Sequence, residues 1–199
     1  MIYLNQLDYP DMPYATDIDH PDSPFVTDFV KRAGCGLCSL CMVVDRLCLE
    51  SLSLEECRDL SYSAGANRAP GTSMEILAPI VAEKFCLALT TTDDPMLLAE
   101  CLRNGGAAIV HVGGDREGHT GIFSHGGHYV TAISVRDDEF CILDPSWTPD
   151  KYDEEPRPSV VRVHGRFLYT TAETLVEDTA NRSPGFYLFH RKSDDPSHK

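Results

Sequence analysis

Long apolar runs are missing from this chain: none approaches the roughly 20 residues that a membrane-spanning helix needs. The opening Met1-Ile2-Tyr3-Leu4-Asn5-Gln6 has neither a basic n-region nor an apolar h-region, so the chain reads as cytoplasmic, or as an exported protein trimmed of its leader. Positive charge is scarce. Lys and Arg number 17 against 31 Asp and Glu, a net of −14 with no basic stripe, so a nucleic-acid duplex or an anionic membrane is repelled at long range. Internal repeats are absent, and strands do not alternate with helices in the manner of a doubly wound sheet.

What is present is the balance of a soluble globular domain: 199 residues, 42% hydrophobic and 24% charged. A chain of this length buries about 70% of its unfolded surface and needs no staple. Its eight cysteines (35, 38, 41, 48, 57, 86, 101 and 141) mostly lie in apolar runs, where a reduced thiol packs as a small hydrophobe. We therefore expect one domain over residues 1–192, a frayed tail over 193–199, and no disulfide framework.

The first thirty residues, rich in Pro, Asp and Tyr, read as an irregular arm laid over the domain. Residues 36–48 have only Ser39, Asp45 and Arg46 as polar members, which predicts a helix apolar nearly all round and therefore central. Further helices are predicted from Ser53, over 73–85, and from Asp94-Pro95 to about Asn104. Strands are predicted over 107–112, 129–135, 140–143 and 185–190. Helices first and strands afterwards imply an α+β fold, with N-terminal helices packed on a mostly antiparallel sheet.

Three places carry potential chemistry. Gly34-Cys35-Gly36 precedes the central helix, so the Cys35 sulfur faces free N–H groups and a helix dipole that favour a thiolate. In Gly126-Gly127-His128-Tyr129-Val130, His128 is the residue at which a glycine loop enters a strand. Asp144, in Leu143-Asp144-Pro145, closes the next strand. A hairpin with the three-residue loop Arg136-Asp137-Asp138 pairs Val135 with Glu139 and Val130 with Asp144. His128 then becomes the same-face diagonal neighbour of Asp144, whereas a two-residue loop would put the two on opposite faces and break the pair. Cysteine, imidazole and carboxylate form an acyl-transfer set that further requires an oxyanion donor. The Cys35 N–H and the Gln6 side chain are the candidates.

These residues resemble those of the bacterial C39-like cysteine peptidases, which have the papain-like fold. The resemblance rests on Asn5-Gln6-Leu7-Asp8-Tyr9-Pro10, Gly34-Cys35-Gly36 with Met42, Gly127-His128-Tyr129-Val130 and Asp144-Pro145, with Gly71-Thr72-Ser73 and Ala82-Glu83-Lys84-Phe85 between them. It covers about residues 3–147. It implies Cys35 as nucleophile, His128 as base, Asp144 as the residue that orients the base, and Gln6 as oxyanion donor. The implied reaction is hydrolysis of a peptide bond through an acyl-thioester, with no cofactor and no metal.

Other readings use the same residues. An amidase or an amide-forming acyltransferase would run on the same triad, and a non-catalytic module would hold a peptide in the cleft. Cys35, Cys38, Cys41 and Cys48 have an iron–sulfur-like spacing, but on a helix rather than in a loop. His119, His125 and His128 have separations that a zinc site could use, though His119 and His125 read more simply as loop residues near the cleft. Trp147, Tyr152 and Tyr169 are candidate cleft walls, and the net charge inclines the substrate toward a cationic or neutral peptide.

Overall fold

The computed structural model describes residues 1–16 and 29–192; residues 17–28 of the expected arm and the expected tail 193–199 lie outside the described residues. Local structure follows the caps and the periodicity where these are strong. A 3-10 turn at Gln6–Asp8 is capped by Asn5, whose Oδ1 accepts from the Leu7 N–H at 3.0 Å. Helix α1 (Val30–Ala33) is a single turn that passes through Gly34 into α2 (Cys35–Leu47). Ten of the thirteen residues of α2 are buried, so it is the central helix its composition predicts.

Helix α3 (Leu54–Ser63) starts at Ser53, whose Oγ accepts from the Glu56 N–H at 3.1 Å. A two-stranded ribbon, β1 (Asn67–Arg68) and β2 (Gly71–Thr72), leads to α4 (Met74–Lys84) and β3 (Leu87–Thr92). Helix α5 (Pro95–Arg103) opens with a proline, and the Asp94 carboxylate accepts from the Met96 N–H at 2.8 Å.

Strands β4 (Ala107–Val112), β5 (His128–Arg136) and β6 (Glu139–Leu143) follow, then α6 (Arg157–Val160), β7 (Arg162–His164), β8 (Phe167–Thr171), α7 (Ala172–Thr179) and β9 (Phe186–Arg191). The main sheet has the order β3-β9-β4-β5-β6-β8-β7, with every pairing antiparallel. The α+β class is as expected, but two features differ. Strands β1, β2, β3, β7 and β8 and helices α1, α6 and α7 have no counterpart among the elements expected from sequence. The sheet is also covered on both faces. Ile109, Tyr129, Ile133, Leu143 and Phe189 pack with α2, α3 and α4, while Val110, Val130, Ile142, Phe186 and Leu188 pack with Leu98 and Leu102 of α5 and Leu175 of α7. Each fully buried leucine in these layers contributes about 2 kcal/mol through apolar area removed from water.

The ends of the core elements define the site. Helix α2 sets its N-terminus against the ribbon, and Gly36 permits this: a Cβ there would lie 2.8 Å from the Cβ of Thr72. No helix among the described residues is long and apolar enough to cross a membrane.

Candidate active site

Cys35 is the first residue of α2, with Gly34 as its N-cap. It lies in a cleft of about 800 Å³ that Gln6 and His128 also line. The first N–H groups of a helix have no acceptor within it, so they and the helix dipole favour negative charge at this sulfur. Burial alone would push the Cys35 thiol up. The adjacent imidazole of His128, through its charge and a hydrogen bond, outweighs that effect together with the Tyr129 and Gly36 backbone, and the thiol is lowered. Other thiols go the opposite way. Burial is the chief cause at Cys38, Cys48, Cys101 and Cys141, and at Cys57 a hydrogen bond with Cys41 comes first, so all five are pushed up.

His128 begins β5, opposite Val112 of β4, and is 6% exposed. Its Nε2 lies 2.8 Å from Asp144 Oδ1 and 3.1 Å from Ser146 Oγ. Since Asp144 takes Nε2, Nδ1 is the nitrogen left for Cys35. Burial would lower the imidazole, but the Cys35 thiolate and the Asp144 carboxylate more than offset it, and its pKa is raised to about 9.

Asp144 is fully buried and accepts five hydrogen bonds. Beside His128, Oδ1 receives the Ser146 N–H at 2.8 Å and the Ser146 hydroxyl at 3.1 Å. Oδ2 receives Lys151 Nζ at 2.6 Å and the Tyr152 hydroxyl at 2.7 Å. Burial works against ionisation, but the Lys151 charge and the His128 hydrogen bond hold the carboxyl far below the usual range. Lys151 and Ser146 were not identified from sequence. They follow Asp144 by seven and two residues in an irregular turn, with no pattern to mark them.

The same-face relation of His128 and Asp144 is present, but the predicted hairpin is not its cause. Arg136 pairs with Glu139, Val135 with Phe140 and Ser134 with Cys141, so the turn has two residues, Asp137-Asp138, rather than three. Between Ser134 and Ala132 the register shifts, and Ala132 pairs with Ile142 and Thr131 with Leu143. Ile133 is the extra residue of a β-bulge, and one added residue restores the parity that the short turn removed.

Gln6 is 6% exposed rather than on the surface. The segment that carries it is tied to the chain after β6. The Gln6 N–H donates to Pro145 O at 2.7 Å, Asn5 Nδ2 to Trp147 O at 2.7 Å, and the Tyr3 hydroxyl to Asp144 O at 2.7 Å. Gln6 Nε2 donates one hydrogen to Lys31 O at 2.8 Å, and its second N–H has no partner among the described residues.

Several expectations need correction. Tyr152 lies buried behind Asp144, Tyr169 stacks under Arg162 with the guanidinium 4.2 Å from its ring centre, and Trp147 packs against the core; none lines the cleft around Cys35. His119 turns away to Asp178, at 2.8 Å from Nε2. His125 is exposed, with Nδ1 3.0 Å from Asp115, although its neighbours Ser124 and Gly126 do line the cleft. Among the described residues no group of three or more His, Cys, Asp or Glu is arranged to hold a metal ion. The charge of the cleft also opposes that of the chain. Arg32, Arg68 and Arg182 line it against one carboxylate, Glu75.

The glycine loop that delivers His128 is anchored by Asp178. Its fully buried carboxylate accepts from the Ile122 N–H at 2.9 Å and the Phe123 N–H at 3.3 Å as well as from His119. Asp178→Ala leaves two buried N–H groups unpaired and is expected to cost about 2–5 kcal/mol of stability. Urea unfolding measures it, and a loss below about 0.5 kcal/mol would show that the carboxylate is no anchor.

No family model matches the chain, and no curated protein matches it. Solved structures do. The peptidase domain of Streptococcus ComA, a bi-functional ABC transporter involved in a quorum-sensing pathway, is 18% identical, with 90% of this chain and 98% of that one covered at a TM-score of 0.50. A Bacillus anthracis protein described as a C39-like peptidase is 11% identical, with 80% of this chain and 90% of that one covered at a TM-score of 0.54. Coverage of 90% is more than a span ending at Trp147 could supply, so the shared fold runs on into the last third of the chain. The chain has the papain-like fold of C39 peptidase domains.

Proposed function

We propose that this protein is a C39-like cysteine peptidase, acting on a peptide substrate within a single domain that runs to residue 192. The observation that carries the reading is the chain of contacts at the cleft floor: a lowered Cys35 thiol against a raised His128 imidazole, whose far nitrogen is tied to a buried, ionised Asp144. Thiolate and imidazolium are then the resting pair, and the nucleophile needs no further activation.

The Cys35 sulfur attacks the scissile carbonyl carbon, and the carbonyl electron pair moves onto oxygen. The Cys35 backbone N–H and the second Nε2 hydrogen of Gln6 donate to that oxyanion. His128 gives its Nδ1 proton to the departing amine as the C–N bond breaks, leaving an acyl-thioester on Cys35. A water then gives one proton to His128 and attacks the thioester. The carboxylic product leaves, and thiolate and imidazolium are restored. Asp144 stays ionised throughout and holds the ring in the required orientation.

Gln6→Ala tests the oxyanion assignment. Turnover of an accepted peptide is expected to fall by on the order of 10²–10³, with the circular dichroism spectrum retained. Unchanged turnover would remove Gln6 from the mechanism. The reading as a whole is tested by peptide hydrolysis with the purified wild-type chain, which should stop on alkylation of Cys35.

A further inference from the structure

One wall of the cleft carries a cation with no counter-ion among the described residues. Arg182 sits between α7 and β9, and its own N–H donates to Thr179 O at 2.8 Å. Its guanidinium lies over Gly127, the residue before His128: a Cβ on Gly127 would be 2.6 Å from Arg182 Nη2. The glycine is therefore what lets the cation lie beside the reacting groups. Arg182 Nη2 reaches Gly113 O at 3.4 Å, while Nε is buried and bonded to nothing among the described residues. No carboxylate among the described residues pairs with it.

His111 shares this wall, with its ring stacked on that of Tyr129 at 4.4 Å. Burial first, and then the Arg182 charge, lower the imidazole to about 4, so it is neutral beside the guanidinium and its single N–H is taken by the Pro184 backbone. The Arg182 guanidinium thus offers N–H donors and positive charge in a partly desolvated place, with no acidic group among the described residues to receive them. Such a group costs free energy until an anion meets it, and a planar guanidinium fits a carboxylate best. The chain as a whole is at −14, so a local cation here is not a consequence of composition.

We propose that Arg182 forms a subsite for a carboxylate of the substrate, so that the cleft selects peptides carrying an acidic side chain or a free C-terminus close to the scissile bond. The proposal rests on the peptidase reading above and deepens it by naming the class of peptide. Arg32, at the end of α1, adds a second positive group on the lining of the same cleft.

The test is a decapeptide mixture in which each position in turn carries Glu, Gln, Lys or Leu, made both as C-terminal amides and as free acids. It is incubated with the wild-type chain and with Arg182→Gln, and cleavage is followed by mass spectrometry. Glu is expected to exceed Gln about tenfold or more at one position if a side chain occupies the subsite; free acids are expected to exceed amides by as much if a C-terminus does. Arg182→Gln should bring that ratio to within about twofold of one. Cleavage with no preference for a carboxylate, or with a preference for Lys, overturns the subsite and leaves the peptidase reading standing. Cleavage of no peptide at all overturns both. Because the wild-type preference is itself the measurement, the test does not depend on the variant folding.

Discussion

Cys35→Ala is expected to reduce peptide turnover by about 10⁴-fold or more while leaving the fold intact. Sγ of Cys35 is the atom that forms the thioester, and without it neither His128 nor the oxyanion donors can act in the acylation step; removal of a nucleophile from such a unit has effects of this size or greater. Stability should change by less than about 1 kcal/mol, because Cys35 is partly exposed at a helix start and alanine is a good helix former. The loss also removes the negative partner that helps raise His128, so the imidazole pKa in the variant should fall from about 9. Steady-state turnover at high protein concentration, with urea unfolding in parallel, checks both parts. Residual activity above a few per cent in a well-folded variant would exclude Cys35 as nucleophile.

Asp144→Asn is expected to lower kcat/KM by about 10²–10⁴-fold and to move its alkaline limb toward lower pH. The carboxylate favours protonated His128, so its removal lowers the imidazole pKa from about 9 toward the ordinary value of about 6.5, and the pH range in which thiolate and imidazolium coexist narrows from its upper end. Stability should also fall, since Lys151 loses its buried counter-ion and Tyr152 a short hydrogen bond. In the wild type the two groups stabilise the fold in different pH ranges. The depressed Asp144 contributes above its unfolded pKa of about 4 and loses that contribution as pH drops through its lower folded value. The raised His128 contributes below about 6.5 and loses it as pH climbs to about 9. A rate profile whose alkaline limb is unmoved in Asp144→Asn would separate the carboxylate from the imidazole.

The parts of the site that could be read from sequence are those fixed by local chemistry. Glycines beside Cys35, an apolar run behind it, and Gly127-His128 at a strand entrance each report a backbone requirement within a few residues. The β5–β6 hairpin shows where such reading stops. Two departures from the simple register cancel: a turn of Asp137-Asp138 and a bulge at Ile133. Ile is an ordinary strand residue, so nothing in the local pattern marks it as extra. Asp137, at φ 56°, occupies a conformation that Asp tolerates but does not announce. Which ring nitrogen of His128 meets Asp144 is likewise a matter of ring orientation and not of residue order.

Long-range pairing hid the remainder. Arg182 reaches the cleft because the chain after it enters the sheet as β9, between β3 and β4, a neighbourhood set by contacts more than seventy residues apart in sequence. Strand β8, Phe-Leu-Tyr-Thr-Thr, is made of strand-forming residues and was legible in principle, but β7 is exposed throughout and has no alternation to detect. The sheet's second covering layer depends on α7, eight residues long and recognisable mainly by its Thr171 cap.

The pH dependence of alkylation at Cys35 tests the thiolate–imidazolium pair, on which the proposed mechanism rests, without requiring a known substrate. Limiting iodoacetamide is applied to the native wild-type chain across the pH range, and each cysteine is read by peptide mapping. Cys35 is expected to be labelled first, at a rate that rises through an apparent pKa below the ordinary thiol value of about 8.5, while Cys38 and Cys57 in the core stay unlabelled. Labelling spread evenly over the cysteines, or a Cys35 rate that rises only near pH 8.5 or above, would contradict it.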